Sequence, residues 1–133
     1  IMSAVVWRDY HVQVTGGNME PLSGRLDFEF EHISPEITSA IELGVNEEIA
    51  AARNVTSQTI PREEANQIPD LIRTKVNLLP DFLTEIRVVE IAGLDLQADG
   101  GTHVKNTSEI GQFKIFKYKS KGRINKRIVI AIS

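Results

Sequence analysis

Ile86-Arg87-Val88-Val89-Glu90-Ile91 is β-branched and mostly apolar, the composition of a central strand. Gly93-Leu94-Asp95-Leu96-Gln97-Ala98 continues extended into Asp99-Gly100-Gly101-Thr102-His103. A carboxylate and an imidazole thus stand four residues apart across two glycines, where a strand ends and sites are usually built. Downstream, Phe113 to Lys119, a turn at Ser120 to Gly122, and Ile124 to Ile132 with Ile124, Ile128, Ile130 and Ile132 in alternate register predict a terminal hairpin. Upstream, Asn54 to Ile60 reads as a strand and Pro61-Arg62-Glu63-Glu64-Ala65 as the start of a short helix. The stretch around Pro69 and Pro80 has weak periodicity and reads as short helical turns and loop.

Ser34-Pro35-Glu36 is a helix start: a hydroxyl for the free amides, a proline with its angle preset, and an acid at the positive dipole end. Ile37, Ala40, Ile41, Val45, Ile49 and Ala52 then recur at helical spacing, with Glu42, Glu47 and Glu48 mostly on the opposite side. Gly44 inside this helix should cost about 1 kcal/mol relative to Ala, so a close packing contact is expected there. Nearer the start, His11 to Thr15 alternates and stops at Gly16-Gly17-Asn18, which reads as a glycine turn. Leu22, Leu26, Phe28 and Phe30 form the apolar side of a second strand, giving a hairpin with one wet face. Ile1 to Trp7 reads as the back half of an amphipathic helix, so the chain is expected to begin inside a larger protein. The sum is one α+β domain over residues 1–133, an antiparallel or mixed β-sheet with helices packed on one face.

With 133 residues the chain is large enough to fold around its own core without staples. It has no Cys, which removes disulfides and thiolate metal sites, and no run of about 18 apolar residues, so no membrane span is expected. Net charge is -3, but Lys114, Lys117, Lys119, Lys121, Arg123, Lys126 and Arg127 form a carboxylate-free block, leaving 8 cations against 18 anions elsewhere. A basic end on an acidic body fits a chain that touches phosphate at one place. A solvated hairpin whose lysines guard against edge pairing fits the same pattern.

A lone histidine on a loop is more often a hydrogen-bonded bystander than a ligand. Asp99 and the two glycines shift that balance for His103, because the glycines let backbone come close and leave room for something small. Gly16-Gly17-Asn18 is satisfied by an ordinary hairpin turn, or equally by a small cavity with Thr15 and Asn18 as hydrogen-bonding groups.

The segment from Asp99 to Gly111, Asp-Gly-Gly-Thr-His followed by Val-x-x-Thr-x-x-Ile-Gly, resembles the second metal-binding motif of the alanyl-tRNA synthetase editing domain and of the freestanding AlaX trans-editing proteins. The usual form of that motif is Cys-Gly-Gly-Thr-His, and here Asp99 stands at the Cys. His11 to Asn18, Arg25-Leu26-Asp27-Phe28 and Pro61 to Ala65 resemble further family segments and occur in the family's order. The resemblance implies a zinc site in which His103 and Asp99 supply two ligands and a His-x-x-x-His helix, ending just before Ile1, supplies two more. Carboxylate oxygen binds zinc at about 2.0–2.2 Å but is a harder ligand than thiolate, so weak or absent metal is expected from this chain by itself.

The implied activity is hydrolysis of the ester joining a wrongly attached Ser or Gly to alanine tRNA, in the cytoplasm. In that scheme Thr15, Gly16, Gly17 and Asn18 shape the amino-acid pocket, and amides near Gly100 and Gly101 receive developing negative charge. The seven cations of the terminal hairpin then contact acceptor-stem phosphates. Two rivals stand beside it: an editing domain excised from a full synthetase, and an RNA-binding module that kept the fold and lost the chemistry. A small α+β interaction domain would require the motif order to be coincidence.

Overall fold

The computed structural model describes residues 1–71 and 80–133. The part of the irregular stretch between Pro69 and Pro80 that covers residues 72–79 lies outside the described residues. The order is α1 (Met2–Tyr10), β1 (Val14–Glu20), β2 (Ser23–Phe28), α2 (Pro35–Ala50), β3 (Val55–Pro61), α3 (Arg62–Asn66), β4 (Glu85–Ile91), β5 (Asp95–Ala98), a 3-10 turn (Thr107–Ile110), β6 (Phe113–Ser120) and β7 (Lys126–Ile132). The α+β class holds, but the strands divide into two sheets, ordered β1-β2-β7-β6 and β3-β4-β5, and every pairing is antiparallel.

The first sheet buries its inner face against α1 and α2. Phe28, Ile128, Ile130 and Phe113 meet Val5, Val6, Ile41 and Val45 there. Ser34 caps α2 as its sequence requires, its hydroxyl accepting from the Ile37 amide at 3.2 Å. The expected close contact at Gly44 is present: a β-carbon there would stand 3.0 Å from Val5 Cγ1, so glycine sets the separation of α1 and α2. The second sheet has its own core of Ile60, Ala65, Leu71, Ile86 and Val88.

Two of the three acids expected on the wet side of α2 are engaged with protein. Glu42 Oε2 accepts from the Ile115 amide at 2.7 Å, and Asn46 brackets Phe113, accepting from its amide at 2.9 Å and donating to its carbonyl at 2.8 Å. These groups cover the free edge of β6, which would otherwise present unpaired backbone. Glu48 is buried between Arg53 (2.6 Å) and Arg8 (2.8 Å). Helical periodicity in apolar residues cannot reveal this, because it records which positions lack charge, not which charges find partners.

The glycine turn expected at Gly16-Gly17-Asn18 is not a turn. These residues lie within β1, and the chain reverses at Pro21-Leu22, with Leu22 at φ 61 and its side chain exposed rather than in the core. A β-carbon on Gly17 would come within 2.8 Å of Leu26 Cδ2 and 3.1 Å of the Arg25 carbonyl, so Gly17 serves close strand approach instead of a positive φ. A bulge between Val14 and Gly16 bends the same strand. At the other end of the chain β7 starts at Lys126, two residues after the expected Ile124, and Ile124 is partly exposed in a longer turn.

Gly111 is required by conformation and by space. It sits at φ 85, and a β-carbon would collide with the Ser133 carbonyl oxygen. Gly111→Ala is expected to lower stability by about 2 kcal/mol, read as a lower urea midpoint. An unchanged midpoint would show that the Ser133 end moves aside freely.

Candidate functional site

The segment that begins at Asp99 has a chemical half and a structural half. Asp99 follows β5 directly, and its amide donates to the Arg87 carbonyl at 3.1 Å. Arg87 Nη1 returns hydrogen bonds to the carbonyls of Asp99 (2.9 Å) and Gly101 (2.6 Å), fixing the loop from the neighbouring strand. Asp99 Oδ1 accepts from the Gly101 amide at 2.9 Å, and His103 Nε2 lies 2.7 Å from Asp99 Oδ2. An ionised carboxylate only accepts, so in this pair Nε2 is the donating nitrogen. Both side chains are reachable from solvent, at 44% exposure for Asp99 and 31% for His103.

The remainder of the motif is scaffold. Thr107 is fully buried; its hydroxyl accepts from the Arg53 amide at 2.9 Å and lies 3.1 Å from the Glu48 carbonyl, closing the C-terminal end of α2. Asn106 and Glu109 form a reciprocal capping box on the 3-10 turn, and Asn106 also donates to the Ala52 carbonyl at 2.9 Å. The Thr-x-x-Ile-Gly tail therefore ties the loop carrying His103 to α2.

A metal is implied by the resemblance, and the chain's own donors fit as half of a site. Two ligand atoms on one tetrahedral zinc, each at about 2.0–2.1 Å, stand about 3.3 Å apart. The Asp99 and His103 atoms converge at 2.7 Å, so a small opening would admit an ion between them. Among the described residues no group of three or more His, Cys, Asp or Glu side chains comes together to complete the set. α1 runs alongside this region: Gln97 Nε2 donates to Ser3 Oγ at 3.1 Å, and a cleft of about 290 Å³ between helix and strand is lined by Ala4, Trp7, Arg8, Leu94 and Asp95 among others. The N-terminal end of α1 thus lies toward the Asp99 end of β5.

The other sequence candidates lie on the first sheet. Thr15, Gly16, Gly17 and Asn18 are on its edge strand β1, and the Thr15 hydroxyl donates to Asn125 Oδ1 at 2.7 Å. Among the described residues no hydrogen bond or ion pair joins them to Asp99, Gly100, Gly101 or His103. Of the seven cations, Lys114, Lys117, Lys119, Lys121 and Arg123 are exposed. Lys126 and Arg127 are engaged within the fold. Lys126 is buried with Nζ on the carbonyls of Gly122 (3.0 Å) and Arg123 (2.9 Å). Arg127 grips Asp27 through two bonds of 2.8 and 3.0 Å. The Arg127 hydrogen bond outweighs burial and, with Arg25, holds the Asp27 carboxyl below the usual range. A basic block in sequence does not tell a free lysine from one that caps its own turn.

Among the described residues no helix is long and apolar enough to cross a membrane. Residues 86–129 match the family model described as the threonyl and alanyl tRNA synthetase second additional domain. The chain is 36% identical over 132 residues to the alanyl-tRNA editing protein AlaX-M of Saccharolobus solfataricus, a match covering 99% of this chain and 55% of that protein. The corresponding protein of Methanosarcina mazei is 32% identical over 132 residues, 99% of this chain and 53% of its own length. Alanine–tRNA ligase of Methanococcus vannielii is 39% identical over 108 residues, 80% of this chain and 12% of the ligase. The chain spans about half the length of the editing proteins it matches. With the motif order, the two antiparallel sheets and the Asp99–His103 pair at the end of β5, these matches make the chain similar to alanyl-tRNA editing proteins of the AlaX type and to a segment of alanine–tRNA ligase.

Proposed function

We propose that the chain is the editing domain of an AlaX-type protein that hydrolyses the ester between a wrongly attached Ser or Gly and alanine tRNA. The observation that carries this reading is the Asp99–His103 pair, held at 2.7 Å on a loop that Arg87 and Thr107 fix from either side. A carboxylate-held imidazole with one basic nitrogen free can orient or deprotonate a water. The Gly100 and Gly101 amides are the proposed hydrogen-bond donors to the carbonyl oxygen as it gains charge, once the Gly101 amide has released Asp99 Oδ1. Zinc, when bound, would replace the hydrogen bond between His103 and Asp99, which would then hold it from one side while it supplied charge stabilisation there.

Thr15, Gly16, Gly17 and Asn18 remain the proposed amino-acid-facing segment on the strength of the resemblance. Deacylation of Ser- and Gly-charged alanine tRNA by the intact protein tests the proposal. Turnover supports it; retained tRNA binding without turnover would favour the binding module.

The exposed lysines of β6 are proposed to meet backbone phosphates of the acceptor end. Replacing Lys114, Lys117 and Lys119 together by Gln is expected to reduce the slope of log affinity against log salt by about two to three, because fewer counterions are released. A slope equal to wild type would remove this hairpin from the interface.

A further inference from the structure

We propose that Phe116 is a stacking platform for an unpaired RNA base, seated among lysines on the outer face of the four-stranded sheet; this rests on the reading of the chain as an editing domain acting on tRNA. Phe116 is 71% exposed although it lies inside a strand of a well-packed sheet. The cause is a β-bulge. Ile115 opposes Ile130 and Lys117 opposes Val129, which leaves Phe116 as the extra residue. Strict alternation from Phe113 and Ile115, both turned to the core, would send Lys117 and Lys119 inward. The bulge shifts the register by one, so that Tyr118 pairs with buried Ile128 while Lys117 and Lys119 join Lys114 outside.

Residues opposed across antiparallel strands share a face, so the register defines what surrounds Phe116. One row reads Lys119, Arg127, Asp27 and Gly16; the next reads Lys117, Val129, Arg25 and Asn18. Asp27 is neutralised by Arg127 and Arg25, and Glu20 lies on the far edge strand. An exposed aromatic ring among Lys114, Lys117 and Lys119 therefore faces outward with no unpaired carboxylate on its own strand or the next, among the described residues. Cations to follow a phosphate backbone, plus a ring on which a base can lie, are the two components of single-strand recognition. A second copy of this chain is disfavoured at this spot because it would set lysine against lysine.

The test uses the intact protein with alanine tRNA and with the same tRNA trimmed of its unpaired 3′ nucleotides. Phe116→Ala is expected to weaken binding of the full tRNA about tenfold and leave the trimmed one unchanged, while Phe116→Tyr restores wild-type affinity. The salt slope should be unaltered by Phe116→Ala, since no phosphate contact is lost. Equal affinity of Phe116→Ala and wild type for the full tRNA would overturn the platform while leaving the editing reading intact. Failure of wild type to bind either tRNA would overturn both. If sedimentation shows a wild-type dimer that Phe116→Ala dissociates without changing tRNA affinity, the ring is a contact between copies and the proposal is wrong.

Discussion

Replacing His103 by Ala is expected to lower kcat/KM for the proposed deacylation of mischarged alanine tRNA at least a hundredfold, and up to about ten-thousandfold, in the intact protein. The expectation follows from His103 being the imidazole on this loop, whether it acts on water while Asp99 holds it or ligates a metal. Stability should hardly change, because the imidazole is 31% exposed and its bond to Asp99 crosses no core. Asp99→Asn is expected to fall between wild type and His103→Ala, since an amide still positions the ring but does not stabilise its positive charge. The measurement is single-turnover release of the amino acid, with the urea midpoint read on the same samples. Wild-type turnover by His103→Ala would end the assignment of chemistry to this loop, whatever the overall fold.

Glu48→Ala carries the largest expected loss of stability, about 3 kcal/mol. Glu48 is 9% exposed, its carboxylate accepts from Arg53 and Arg8, and its removal leaves Arg53 facing a hollow beside the α2 terminus. The loss sits at the lower end of the range for broken buried pairs because Arg8 keeps Asp9 at 2.8 Å. Burial alone would raise the Glu48 carboxyl, but the hydrogen bonds from Arg53 and Arg8 outweigh it and the net shift is downward. Asp27 is held down likewise, chiefly by the Arg127 hydrogen bond. Both groups therefore bind protons more weakly folded than unfolded. Their stabilisation is complete above the ordinary values of 3.8 and 4.5 and is lost as pH falls through the lowered folded values. Acid titration of the unfolding midpoint should show Glu48→Ala with a shallower decline below about pH 4.5 than wild type. A parallel decline in the two proteins would mean that Glu48 titrates alike folded and unfolded.

Most of the secondary structure was legible because it obeys local rules. Ser34-Pro35 starts α2, the β-branched run makes β4, and alternation makes β7. Division into two sheets was not legible, since pairing β2 with β7 joins residues about a hundred apart and no local pattern encodes that choice. The bend expected at Gly16-Gly17 failed because glycine satisfies two different needs, a positive φ and a close approach, and only the neighbouring Leu26 shows which applies. Glu42 and Glu48 were read as wet because charge on a helix usually is; their partners, the Ile115 amide and two arginines, come from elsewhere in the chain. At the site, the four-residue spacing of Asp99 and His103 across two glycines announced the pair, and the structure supplied its direction, with Oδ2 turned to Nε2 and Oδ1 to the Gly101 amide.

By itself the sequence determined which residue types are candidates for chemistry, most of the segments that become helix or strand, and which family's pattern they resemble, because residue type, propensity and spacing are local properties. The tertiary structure alone decided which charges remain free. Lys117 and Lys119 join Lys114 in facing outward because of a one-residue bulge, whereas Lys126 and Arg127 from the same basic block are spent on a turn and on Asp27. A charge is available to a partner only when the fold has not already given it one.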